Sequence, residues 1–305
     1  MVLLLVVDHD QHLDPGLAAL RPLGGFFVLR TLPAPSGAPA GTPAGPPPAL
    51  HDVYRSRTAS PVASVAESPT ASPVENPPAS PVENPPASPI ANPAESPAPD
   101  ADGRTDPLAF RVRKVTRSLR TAEVRVGASV AHQGLAARLW SAALGCAALY
   151  GRIPDLDPRL LRWDADAGAP DDLWLSEVRP LPGDAATVAD AVLEGHLRPL
   201  TALVHTRYRV AEGLLWGNAG SALAGAAREL DRWARANGRS DVAATAHSLT
   251  AALLRHPLLM GTGTLTGTAF RRRSCCLYYR VPGGGVCGDC CFARPPRSSA
   301  RHPSG

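Results

Sequence analysis

From Asp106 to Arg255 the apolar residues return every three or four positions, the spacing of helices that bury one face. Phe110, Val112, Val115 and Leu119 stripe a basic amphipathic helix that begins at Pro107. Ala128 to Leu149 is apolar almost throughout and rich in small residues, which predicts a long, closely packed helix. Cys146, His132 and Arg138 lie within it and read as core or satisfied polar residues. Ala185 to His196 predicts a helix capped by Asp184, and Pro199 starts another that runs over Leu200 to Val210. Glu212 to Gly238 sets Trp216, Leu223, Ala227, Leu230 and Trp233 against Arg228, Glu229, Asp231 and Arg235, the stripe of a half-buried helix. Ser240 caps a last helix, Asp241 to Arg255, which Pro257 ends. Pro154 to Pro182 is loop-rich, with Trp163 and Trp174 as anchors. Gly261 to Gly267 reads as a flexible link; it has neither the lysine of a phosphate-binding loop nor a dinucleotide fingerprint.

The chain before Asp106 is of two kinds. Met1 to Val7 is an apolar segment, too short to span a bilayer, without a basic flank and followed at once by Asp8, His9 and Asp10. Asp14 and Pro15 open a short helix that Gly24-Gly25 ends, and Phe26 to Leu29 forms a buried strand or turn. Pro33 to Arg104 holds more than half of the 33 prolines and an eight-residue repeat, ASPVENPP at Ala71 and Ala79 and ASPIANPA at Ala87. Proline removes backbone donors, and this composition buries too little apolar surface to order itself, so the stretch is expected to be a disordered, semi-extended spacer. One island, Ala49 to Arg55, looks like a piece of the folded domain.

The organisation expected is therefore residues 1–32 as the first part of the fold, 33–104 as an insertion, 105–269 as a helical domain, 270–292 as a cysteine-rich segment and 293–305 as a disordered tail. The fold class is mainly α, with a few short strands. A net charge of +4 over 305 residues is too small to call for nucleic acid. Clustered rather than spaced cysteines, with no signal peptide, point to a reducing compartment, the cytoplasm. No stretch is long and apolar enough to span a bilayer, so a soluble protein is expected, peripheral to the membrane at most.

Candidate chemistry gathers at the carboxy end. Five of the six cysteines fall within seventeen residues: Cys275, Cys276, Cys287, Cys290 and Cys291. Gly283, Gly284 and Gly285 lie between the two groups and turn the chain back, which would bring four sulfurs to one point. Clustered thiolates select zinc, copper(I) or iron–sulfur clusters. Cys287-Gly-Asp-Cys290 is a C-x-x-C knuckle, with Gly288 there to let it bend. Adjacent cysteines converge only through a turn or distorted backbone. The spacing C-C-x10-C-x2-C departs both from the usual paired knuckles of zinc sites and from ferredoxin spacings.

This spacing, preceded by basic residues and with a glycine run before C-G-D-C, closely resembles the carboxy-terminal signature of the FhuF-like ferric iron reductases. The Gly-Phe-Phe near the start, Trp216-Gly-Asn218 and Ser221 resemble that family more weakly. The resemblance implies a [2Fe-2S] cluster on Cys275, Cys276, Cys287 and Cys290, with Cys291 one residue beyond the pattern. It also implies one-electron reduction of a ferric siderophore in the cytoplasm, with release of Fe(II). Arg271, Arg272, Arg273 and Arg280 would then tune the cluster or dock an anionic partner. The electron donor, of the ferredoxin or flavin-reductase kind, is marked by no motif. The alternatives are an iron–sulfur sensor without turnover and a zinc-clipped structural module.

Overall fold

The computed structural model describes Leu17 and residues 20–32, 46–56 and 106–296. The expectations for Met1 to Val7, for the helix opened by Asp14, for the eight-residue repeat and for the tail beyond residue 296 lie outside the described residues.

The fold is mainly α. β1 (Arg30–Thr31) and α1 (Leu50–Arg55) come first, then α2 (Pro107–Ser118) and α3 (Val124–Tyr150). Four short strands follow: β2 (Arg152–Pro154), β3 (Leu161–Trp163), β4 (Leu173–Leu175) and β5 (Pro180–Pro182). Helices α4 (Ala185–Ala189), α5 (Arg198–Tyr208), α6 (Glu212–Ala236) and α7 (Ser240–Leu253) lead to a hairpin of β6 (Gly263–Thr266) and β7 (Ala269–Arg272). β4 pairs in parallel with β1 and antiparallel with β3, while β2 pairs antiparallel with β5.

Helix α3 is apolar on nearly every side because it is the hub: α2, α6, α7 and β2 all pack on it. Leu135, Leu139, Trp140 and Leu144 of α3 and Leu215, Leu223 and Leu230 of α6 are buried together. Each such leucine contributes roughly 2 kcal/mol through apolar burial. Arg138, in the middle of α3, is satisfied as expected. Its Nε donates to Asp172 Oδ1 at 2.7 Å, and its other nitrogens donate to the carbonyls of Phe26 and Val28. A buried charge is tolerated when it is paired in this way, and the contacts fasten the amino-terminal turn to the hub. Residues 46–56, within the proline-rich stretch, join the fold through buried Leu50 and Val53 and through Pro48, whose carbonyl accepts from the Trp163 N–H at 3.0 Å.

Four local expectations are corrected. The chain does not break at Pro199: a π-helical stretch, Asp190–Leu197, joins α4 to α5. Pro199 has no N–H for the preceding turn, and the widened turns upstream of it absorb that loss. Ser240 is the first helical residue of α7 rather than its cap, because Arg239 closes the corner, pairing with Asp241 at 2.7 Å and donating its N–H to Ala234 O at 2.8 Å. Gly261 to Gly267 is not a flexible link but carries β6, with Gly263 opposite Arg272 and the alternation of a strand. Trp163 is buried, but Trp174 stays half-exposed beneath the Arg30 guanidinium, 5.1 Å from its ring.

No helix among the described residues is long and apolar enough to cross a membrane.

Candidate metal centre

The cysteine segment sits on α6 where that helix has no side chains. A Cβ on Gly217 would run into Ser274 Oγ, and one on Gly220 would lie 2.7 Å from Thr262 Oγ1. The hairpin and the residues after it therefore rest against bare helix backbone, and Ser274 Oγ donates to the Gly213 carbonyl at 3.2 Å.

Two turns then fold the segment on itself. Leu277 takes a left-handed conformation, φ +69°, and its N–H donates to Cys275 Sγ at 3.3 Å. That is the turn the vicinal cysteines need. Gly283, also at φ +69°, and Gly284, where a Cβ would lie 2.8 Å from the Tyr278 and Val281 carbonyls, reverse the chain. The knuckle closes with the Cys290 N–H on the Cys287 carbonyl at 3.0 Å, and the Phe292 N–H donates to Cys290 Sγ at 3.4 Å. Gly288 lies outside the left-handed region with open space around it, so the bend does not depend on glycine there as the sequence suggests.

Cys276 Sγ and Cys287 Sγ lie 3.5 Å apart in a hydrogen bond. Two thiolates on one tetrahedral metal, each at about 2.3 Å, lie roughly 3.8 Å from each other. The 3.5 Å separation of this pair is close to that spacing. Among the described residues no three Cys, His, Asp or Glu side chains close around a single ion. The four sulfurs therefore do not meet at one point, as the sequence reading expects. A diiron cluster needs two pairs, one on each metal, rather than a quartet around one. Cys275 lies within electrostatic reach of Cys276, Cys290 and Cys291.

As free thiols the cysteines are unequal. Cys276 is pushed down to about 6, chiefly by the hydrogen bond its thiolate accepts from Cys287, with the Arg272 charge adding to the effect. The same bond drives Cys287 up. Burial raises Cys275 to about 11 and also raises Cys291.

The four arginines separate. Arg271, Arg273 and Arg280 are exposed; Arg271 donates to the Cys291 carbonyl at 3.2 Å, and Arg280 pairs with Glu123 at 2.7 Å. Arg272 is only 2% exposed. Its N–H donates to the Asp289 carbonyl at 2.9 Å, and its Nη2 donates to Asn218 Oδ1 and to the Leu214 carbonyl. Its Nε and Nη1 have no partner among the described residues. Asn218 in turn donates to Ser129, whose hydroxyl donates to the Cys276 carbonyl at 2.8 Å. Asp289, inside the knuckle, accepts from Ser221 at 2.6 Å and from Arg228 at 3.3 Å. The sequence reading marked Asn218 and Ser221 weakly and missed Ser129, Arg228 and Asp289; only the place of Asp289 between two cysteines signalled its role. His132, also buried, is pushed down to about 3, first by burial and then by Arg272.

A pair of sulfurs at sharing distance, backbone N–H groups on two further sulfurs and a buried cation with unused donors fit an anionic sulfur-ligated cluster. Comparison with known families agrees. Residues 133–264 match a family model described as ferric iron reductase FhuF-like transporter, and residues 272–292 match one described as FhuF 2Fe-2S C-terminal domain. No curated protein matches the chain. The first match runs from α3 into β6, and the second covers the cysteine segment from Arg272. The cofactor is a [2Fe-2S] cluster. With both parts of that signature in order, the chain belongs to the FhuF-like ferric iron reductase family.

Proposed function

We propose that Cys275, Cys276, Cys287 and Cys290 hold the [2Fe-2S] cluster and that the protein reduces Fe(III) carried by a siderophore in the cytoplasm. The observation that carries this reading is the Cys276–Cys287 pair, 3.5 Å apart, within a segment matched to a [2Fe-2S] domain. When bound, the cluster supplies one-electron transfer from a reduced ferredoxin or flavin donor to the ferric chelate, whose iron leaves as Fe(II). An all-cysteine centre near the plant-type potential, about −400 mV, suits a strongly bound ferric ion.

The residues around the cysteines serve contact rather than acid–base chemistry. Cys275, Cys287 and Cys291 are half-buried, and the same segment exposes Tyr278, Val286 and Phe292 beside Arg271, Arg273 and Arg280. Apolar side chains interspersed with cations form a docking surface for an anionic chelate or an acidic donor protein. Ser129 of α3 donates to the Cys276 carbonyl, and Ser221 and Arg228 of α6 donate to Asp289 beside Cys290, contacts that hold the segment still. Outer-sphere transfer needs close approach and no proton, and no general acid or base is assigned.

The test is anaerobic. Purified protein should carry two irons and two sulfides per chain. After reduction with dithionite and removal of the excess, it should be reoxidised by a ferric hydroxamate or catecholate, with Fe(II) appearing on a ferrous-specific chelator. A reduced cluster that no ferric chelate reoxidises would overturn the reductase reading. A colourless protein with one zinc would overturn the cluster ligation as well.

A further inference from the structure

We infer that Arg272 is the buried countercharge of the cluster, and that its unused Nε and Nη1 donors serve the sulfurs on the Cys276–Cys287 side. The inference rests on the ligand set proposed above and singles out one arginine from four.

Arg272 is held in place without being neutralised. A buried guanidinium ordinarily sits against a carboxylate, because an unpaired buried charge is costly. Here the Nη2 partners are an amide oxygen, Asn218 Oδ1, and a backbone carbonyl, Leu214 O. The nearby carboxylate, Asp289, is already bound by Ser221 and Arg228, and only its backbone carbonyl meets the backbone N–H of Arg272. The two remaining donor atoms are buried with no partner among the described residues. A charge left in this state requires an anion nearby. The anion on hand is the cysteine knuckle: the Arg272 backbone N–H meets the Asp289 carbonyl between Cys287 and Cys290, and Asn218, which holds the guanidinium, leads through Ser129 to the Cys276 carbonyl. Arg271, Arg273 and Arg280 cannot play this part equally, since they are exposed and screened by salt.

One consequence follows from the placement. A buried cation beside the ligands would stabilise the reduced cluster, which carries one more negative charge, so the potential would rise.

The experiment compares Arg272→Lys, Arg272→Gln and Asn218→Asp in the full chain, each poised against redox mediators and followed by visible absorption and EPR. Arg272→Lys keeps the charge and should stay within threefold of wild type in its equilibrium with the mediators. Arg272→Gln should be at least tenfold harder to reduce, a fall of 59 mV for a one-electron couple. Asn218→Asp places a carboxylate on the untouched arginine and should shift the same way, and it stands in for Arg272→Gln if that variant does not retain its irons. The gap should persist in 0.5 M salt, because a buried charge is poorly screened. An unmoved potential in a variant that keeps two irons would overturn the inference, as would Arg272→Lys behaving like Arg272→Gln. A colourless wild-type protein would instead sink the ligand assignment on which the inference rests.

Discussion

Asn218 on α6 meets Ser129 on α3 through two hydrogen bonds, from Nδ2 to the Ser129 carbonyl at 2.9 Å and to its hydroxyl at 3.0 Å. The Ser129 hydroxyl donates onward to the Cys276 carbonyl, and Asn218 Oδ1 accepts from Arg272. The two central helices thus grip the first cysteine pair and its buried cation through a single asparagine.

Replacing that residue by an apolar side chain of similar size should be costly. Asn218→Leu removes the acceptor of a buried guanidinium and should lower stability by about 1.5–3 kcal/mol, the range for hydrogen bonds to charged groups. Urea unfolding of the anaerobic protein, with iron content measured alongside, checks this. Full stability in the leucine variant would mean that the network does not hold the tail.

Gly217 is the seat of the cysteine segment. Gly217→Ala sets a methyl group against Ser274 Oγ and should destabilise by about 1–3 kcal/mol through overpacking. Gly225, on the same helix, has nothing nearer than an Arg228 nitrogen at 4.0 Å. Gly225→Ala should therefore stabilise by up to about 1 kcal/mol, the difference in helix propensity. Thermal melts of the two variants should move in opposite directions.

The ligand set makes a sharp distinction between neighbours. Cys276→Ser should lose the cluster, seen as loss of visible absorption and of bound sulfide. Cys291→Ser should keep both, since Cys291 lies beyond the family spacing. Loss of the cluster in Cys291→Ser would bring Cys291 into the ligand set.

Two buried histidines make stability depend on pH. His132 is pushed down to about 3 and His196 to about 4, both chiefly by burial. His196 Nε2 faces the Leu156 carbonyl, which can only accept, so Nδ1 of the neutral ring accepts from the Tyr54 hydroxyl at 2.9 Å. The unfolded chain binds protons at these rings near pH 6.5 and the folded chain does not. Their contribution is therefore present above pH 6.5 and is lost as pH falls toward 4, by up to about 1.4 kcal/mol per pH unit for each ring. Denaturation midpoints between pH 7 and 5 check the slope, which should flatten by half in His132→Gln.

The helices were readable because burial leaves a periodic trace. Nearly every side of α3 is apolar because neighbours cover it, and the stripe on α6 marks a helix with an exposed face. The errors fell where hydrogen bonding rather than hydrophobicity decides: the π-helical turns before Pro199, the corner at Arg239 and the pairing of β6 with β7. A four-residue strand with a single leucine, Leu265, leaves little apolar signal to read.

The amino-acid order alone determined the helical class, the grouping of the sulfurs and the family they point to, because those are properties of spacing along the chain. Only the tertiary structure decided which two sulfurs stand at sharing distance, and which one of four arginines is buried without a carboxylate. Burial and pairing depend on residues far apart in sequence, such as Ser129, Asn218 and Arg272, and no local pattern records how α3, α6 and the tail come together.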